Sequence, residues 1–143
     1  MTTQLAYVDS HEVSVAAPPE TVYDEIQSVL PRFGGPAWAA YARLVGCEDS
    51  RRPPIGFHVA DAARPRSIVL AGSHRFARYQ LTLLIEPDGA GSCLRAQTNA
   101  DFPGLLGRVY RLAVIGSRAH VVATRRLLGA FKRRAERESV SVR

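Results

Sequence analysis

The sequence predicts an α+β protein in which an antiparallel sheet is covered on one face by a long amphipathic C-terminal helix. Three observations carry this. Four runs between Phe57 and Asp101 have the composition or alternation of strands and are separated by turn signals. From Pro103 to Glu138 apolar residues recur at helical spacing. Ahead of both, a short alternating strand runs straight into a proline-started helix.

The first strand is read over His11 to Ala16, where Val13 and Val15 share one side. A helix follows from about Pro18 to Leu30. Its prolines suit a first turn, Glu20, Asp24 and Glu25 favour the positive end of the helix dipole, and Val22, Ile26, Val29 and Leu30 recur at helical spacing. Pro31 to Pro54 is punctuated by prolines and glycines, and within it Trp38, Tyr41, Ala42 and Val45 form one face of a short helix. Strands are then expected over Phe57 to Ala62, Ser67 to Ala71, Arg75 to Glu86 and Ser92 to Asp101. The turns between them fall at Arg64-Pro65, Gly72-Ser73 and Pro87 to Gly91, as in a meander. Alternation assigns the faces: Ala77, Tyr79, Leu81, Leu83 and Ile85 are covered, as are Leu94, Ala96, Thr98 and Ala100, while Arg95 and Asp101 are wet.

On the last helix Val109, Leu112, Ala113, Gly116, His120, Ala123, Leu127 and Phe131 fall on an arc about 120° wide. Arg111, Arg118, Arg125 and Lys132 repeat on roughly the opposite side. Arg134 points toward the apolar side, so packing is expected to stop near Phe131.

The 143 residues are 46% hydrophobic and 22% charged, with a mean hydropathy of -0.08, which is the composition of one globular domain and excludes global disorder. No apolar run is long enough to span a bilayer and the first ten residues lack a signal-peptide pattern, so a soluble cytoplasmic protein is expected. Net charge is +6. It is uneven: Pro103 to Arg143 holds ten basic and two acidic side chains, +8, against nine and eleven, −2, in the rest. A solvated outer face explains the stripe first, contact with an anionic surface second. Nucleic acid ranks last, because no aromatic residues are interleaved with the arginines and no reading motif is present. Cys47 and Cys93 form no CxxC pair, which fits reduced thiols and removes a zinc knuckle or disulfide framework.

The opening HEVSVAAPPETVYDEI and the segment FPGLLGRVYRLAVIGSRAH that starts the last helix resemble the START and birch-pollen-allergen superfamily, also called SRPBCC. The resemblance covers nearly the whole chain and implies a helix-grip fold, a curved antiparallel sheet wrapped around the C-terminal helix to enclose a largely apolar cavity. Lipid carriers, quinone-binding proteins and polyketide cyclases and aromatases share that fold. About five strands are evident here where larger members have six or seven, so either a strand lies near Arg43 to Cys47 or the cavity is small and partly open.

No GxSxG, HExxH, P-loop or EF-hand pattern occurs, and the Gly89 to Gly91 GxG links two strands, so no metal, dinucleotide or other cofactor is expected. His120 lies on the apolar arc. It is either a core histidine with one satisfied hydrogen bond or a group that orients a ligand carbonyl and moves a proton near neutral pH. Tyr79, on the covered side of the longest strand, is either packing or pocket lining. The same choice applies to Tyr23, Trp38, Tyr41 and Tyr110, and Trp38 and Tyr41 sit where a lid would be. Leu81, Ala96 and Gly116 complete the expected lining. His74, at a strand turn, is read as exposed, and His58 is left unassigned. The expected partner is a hydrophobic or aromatic small molecule of lipid, polyketide or quinone type, bound by a monomer or homodimer. The alternatives are a cyclase or aromatase-type enzyme using His120 and a tyrosine, and an interaction module using the basic helix face.

Overall fold

The computed structural model describes residues 5–32, 36–47 and 57–141. Five strands, β1 (Ala6–Val15), β2 (His58–Ala63), β3 (Ser67–His74), β4 (Ala77–Asp88) and β5 (Gly91–Asp101), form one antiparallel sheet in the order β1-β5-β4-β3-β2. Gly89, with φ of 59°, takes the left-handed conformation in the β4–β5 turn. The expected turn at Gly72-Ser73 is not there. Gly72 pairs with Tyr79 and Ser73 with Arg78, so β3 continues to His74 and turns at 75–76. β1 starts at Ala6 and pairs irregularly between Tyr7 and Asp9 before running in register with β5.

Covered positions of β4, β5 and β1 align in rows that change character along the sheet. Ile85, Leu94 and Val13 make one row, Leu83, Ala96 and His11 the next, then Leu81, Thr98 and Asp9, and finally Tyr79, Ala100 and Ala6. The apolar end carries the core. Val22, Ile26 and Leu30 of α1 (Pro19–Val29) and its following turn pack there with Leu128, Phe131 and Ala135 of the C-terminal helix. Each such side chain, fully removed from water, contributes about 1.5–3 kcal/mol before entropy is counted.

The other segments lie toward the polar end. α2 (Pro36–Leu44) forms where a short helix was expected, with Ala42 and Val45 buried. Residues 43–47 close that helix in a turn rather than adding a strand. Their anchor is the Arg75 amide, which donates to the Val45 carbonyl at 3.0 Å.

The C-terminal segment departs most from expectation. It is not one helix. α3 (Gly104–Arg111) runs into a π-helical stretch over Leu112–Gly116, and the chain then breaks at Arg118, whose φ of 61° is unusual for a side-chain-bearing residue, before α4 (Ala119–Ser141) begins. Gly116 and Ser117 supply the weak point: glycine is a poor helix interior residue, and the Ser117 hydroxyl donates back to the Ala113 carbonyl. The helical phase is therefore lost across the break. Val109, Leu112, Gly116 and Ala123, placed on the covered arc by periodicity, are exposed, whereas α4 buries Thr124, Leu128, Phe131 and Ala135. Packing also passes Phe131 instead of stopping there. Arg134 swings outward to pair with Glu25 of α1 at 3.4 Å, leaving Ala135 inside.

Candidate functional site

Where the rows turn polar, three side chains converge. The Asp9 carboxylate receives Nε2 of His11 at 3.1 Å on one oxygen and Nε2 of His120 at 3.1 Å on the other. β1 alternation puts Asp9 and His11 on the same face, and the first turns of α4 bring His120 over them. All three are about three-quarters buried or more, and a carboxylate shared between two imidazoles fixes both ring orientations. Among the described residues neither ring's Nδ1 makes a hydrogen bond. Opposite Asp9 in the β1–β5 register stands Thr98, only 7% exposed, whose hydroxyl is buried with no hydrogen-bond partner. Such a group costs about 1–3 kcal/mol unless something satisfies it.

Beside this trio lies an aromatic cluster. Tyr41 of α2 and Tyr110 of α3 share a hydroxyl–hydroxyl hydrogen bond, and Cys47 Sγ lies 3.8 Å from the Tyr79 hydroxyl. Phe76 stacks on Tyr110 at 5.5 Å between centroids, and Phe57 meets Tyr79 edge-on at 5.1 Å. Burial, reinforced by Tyr41, pushes the Tyr110 phenol above its ordinary value, so it remains a neutral donor. His74 is part of the cluster rather than exposed. It packs 4.8 Å from Tyr110 and 5.6 Å from Tyr79, and its Nδ1 accepts the Phe76 amide at 3.1 Å.

Burial lowers the His74 pKa from its ordinary 6.5, because the charged ring loses hydration among aromatics. The unfolded chain thus binds a proton at His74 more readily than the folded one. Stability contributed by the neutral ring is complete above 6.5 and is lost as pH falls from there to the depressed folded value. Urea titrations of the native chain and of His74→Phe, compared across that window, are expected to show a shallower pH slope in the variant. Identical slopes would remove this assignment.

At the same end a cleft of about 200 Å³ opens between the start of β1, the end of β5 and α3, walled by Ala6, Ala100, Phe102, Arg108 and Arg111. Its sheet wall, Ala6 and Ala100, is the row next to Asp9 and Thr98. Among the described residues no group of three or more His, Cys, Asp or Glu side chains is arranged to hold a metal.

No family model matches the sequence, and no curated protein does. Solved structures do match in shape. A protein from Rhizobium loti superposes with a TM-score of 0.53 at 16% identity, covering 92% of this chain and 99% of its own. A conserved protein from Geobacillus kaustophilus gives 0.50 at 16%, covering 92% and 94%. A Polyketide cyc-like protein from Corynebacterium glutamicum gives 0.44 at 17%, covering 96% and 95%. The likeness to the first two extends over nearly the full length of each chain. The fold is a helix-grip.

Within this helix-grip the residues singled out from sequence separate into three groups. Tyr41 and Tyr79 meet at the aromatic cluster with Tyr110, while His120 meets Asp9 across the opening. Leu81, Ala96 and Tyr23 are buried in the packed core, with the Tyr23 hydroxyl accepting from Gln27 at 3.2 Å. Gly116 is exposed at the helix break and lines nothing, a consequence of the lost phase. Trp38 sits in α2, but its side chain lies outside the described residues. His58 is on an exposed strand. Sequence pattern does not mark Asp9 and Thr98 as site residues, and His11 is one histidine among four. The signal was present: Asp9 and His11 share parity with Val13 and Val15, which a strand begun at His11 cuts off.

Proposed function

We propose that this helix-grip protein binds a largely apolar, partly aromatic small molecule against the polar end of the covered sheet face, between the broken C-terminal segment and α2. The buried Thr98 hydroxyl carries the reading. It is an orphan hydrogen-bonding group buried opposite Asp9 in the β1–β5 register, one row from Tyr79, Ala100 and Ala6, the last two of which wall the cleft. A ligand hydroxyl or carbonyl reaching Thr98 and one histidine Nδ1, with its ring against Tyr79, satisfies the orphan hydroxyl and one imidazole at once.

Titration with anilinonaphthalene sulfonate, followed by fluorescence, tests this. Tyr79→Ala and His120→Ala are each expected to weaken binding about tenfold, the loss of one well-placed contact. Thr98→Val is expected to weaken binding as well, yet to raise stability by about 1 kcal/mol, because the orphan hydroxyl is replaced by a methyl of the same shape. Binding unchanged in all three variants would refute the site.

A second reading, acid–base catalysis, is favoured by one observation: Asp9 orients two imidazoles whose free nitrogens point away from it. Proton abstraction beside a ligand carbonyl by a histidine Nδ1 is the step this arrangement suits. Uptake of solvent deuterium by an aromatic ketone, lost in His120→Ala but kept in Arg125→Gln, supports it; equal uptake with and without protein excludes it.

A further inference from the structure

We infer that α3 is a docking face for an anionic lipid bilayer. Leu105, Leu106, Val109 and Leu112 are 76, 69, 58 and 73% exposed, four large apolar side chains within two turns. A contiguous apolar patch of this kind marks an interaction surface rather than ordinary surface scatter. The helix cannot turn it inward. Gly107, on the opposite side, is pressed so closely onto the backbone after β5 and at the β3–β4 turn that a Cβ there would lie 2.6 Å from the Phe102 carbonyl carbon and 3.2 Å from the Phe76 oxygen. Tyr110, on the same inward side, is held by Tyr41 and Phe76. At about 100° per residue, Leu105, Val109 and Leu112 span an arc of about 60° facing away from the protein, with Leu106 on one shoulder.

The charges choose the occupant. Arg108 and Arg111 form the other shoulder, Arg118 follows at the break, and no acidic residue occurs from Phe102 to Ala135. An apolar face whose border is net positive, Arg108 and Arg111 outweighing Asp101, matches acyl chains beneath anionic headgroups. It does not match a second copy of this chain. A two-fold contact through α3 sets Arg108 and Arg111 against their own duplicates, with Asp101 of the shared cleft the one nearby carboxylate among the described residues to set against two arginines. This inference is independent of ligand binding in the sheet opening.

Flotation of the full chain with phosphatidylcholine vesicles, with and without phosphatidylglycerol, tests it. Binding is expected only with phosphatidylglycerol, weakening as salt rises. The L105S/L106S double variant is expected to lose about tenfold or more in vesicle affinity, and R108Q/R111Q to lose its salt dependence together with most of its binding. Both change exposed positions, and an unaltered urea midpoint in each confirms that the fold is intact. Absence of binding to anionic vesicles at low salt overturns the proposal. So does binding that survives L105S/L106S but disappears in R125Q/R126Q, which puts the contact on α4. Light scattering that shows a dimer split by L105S/L106S also overturns it, in favour of a second copy.

Discussion

Phe131→Ala is expected to cost about 3–5 kcal/mol, a large share of the about 5–15 kcal/mol by which an ordinary domain is stable. Phe131 is the largest fully buried side chain among the described residues, and it sits where α4 meets α1 and the apolar rows of the sheet. Truncation leaves a void that neighbours on rigid helices and strands fill only in part. Urea unfolding followed by circular dichroism measures it: the midpoint falls while the slope holds. Leu112→Ala is the companion, since Leu112 lay on the same periodic arc but is 73% exposed. It is expected to cost under about 0.5 kcal/mol. Equal losses in the two variants would mean that the helical phase does not slip at Arg118.

Gly91→Ala is expected to destabilise by about 3 kcal/mol, near the upper end for inserting one methyl into a filled space. A Cβ at Gly91 would lie 2.4 Å from the Val15 carbonyl oxygen, and the nearest atoms are all backbone. That backbone cannot easily withdraw. The Ser92 hydroxyl donates to the Ala17 carbonyl at 2.7 Å, and Lys132 reaches the Ser14 carbonyl at 2.6 Å. Gly89, two residues earlier, has a φ of 59° but open space around it, so Gly89→Asn is expected to change stability by under about 1 kcal/mol. Thermal melts of the two variants separate a steric requirement for glycine from a conformational one. A small loss at Gly91 would show that the end of β1 gives way.

The sheet was legible because its physics is local. Alternation in β4 and β5 sorted Leu81, Leu83, Ile85, Leu94 and Ala96 to the covered side, and they are buried. The C-terminal segment was less so, because a periodic pattern carries no phase marker. Gly116, Ser117 and Arg118 contain no proline, and an arc drawn through them looks continuous until the chain adopts a positive φ. The polar end of the site was hidden for a related reason. Asp9 and His120 are 111 residues apart, and only the fold sets a strand beside the start of α4. A place at a turn makes His74 look exposed in the sequence, whereas the aromatics that cover it come from α3 and β4.

The position of β1 bears on how the chain is made. β1, at the beginning, has β5 as its strand neighbour, and that register needs residues up to Ala100. α1 in turn rests on α4, the last helix of the chain. A growing polypeptide on the ribosome therefore emerges with β1 and α1 lacking their partners until β5 and α4 have been translated. Long-range pairing of this sort slows folding and prolongs exposure of apolar strand surface. β1 and α1 thus gain their partners only after β5 and α4 have been made, and until then they are the natural place for a chaperone to hold the chain.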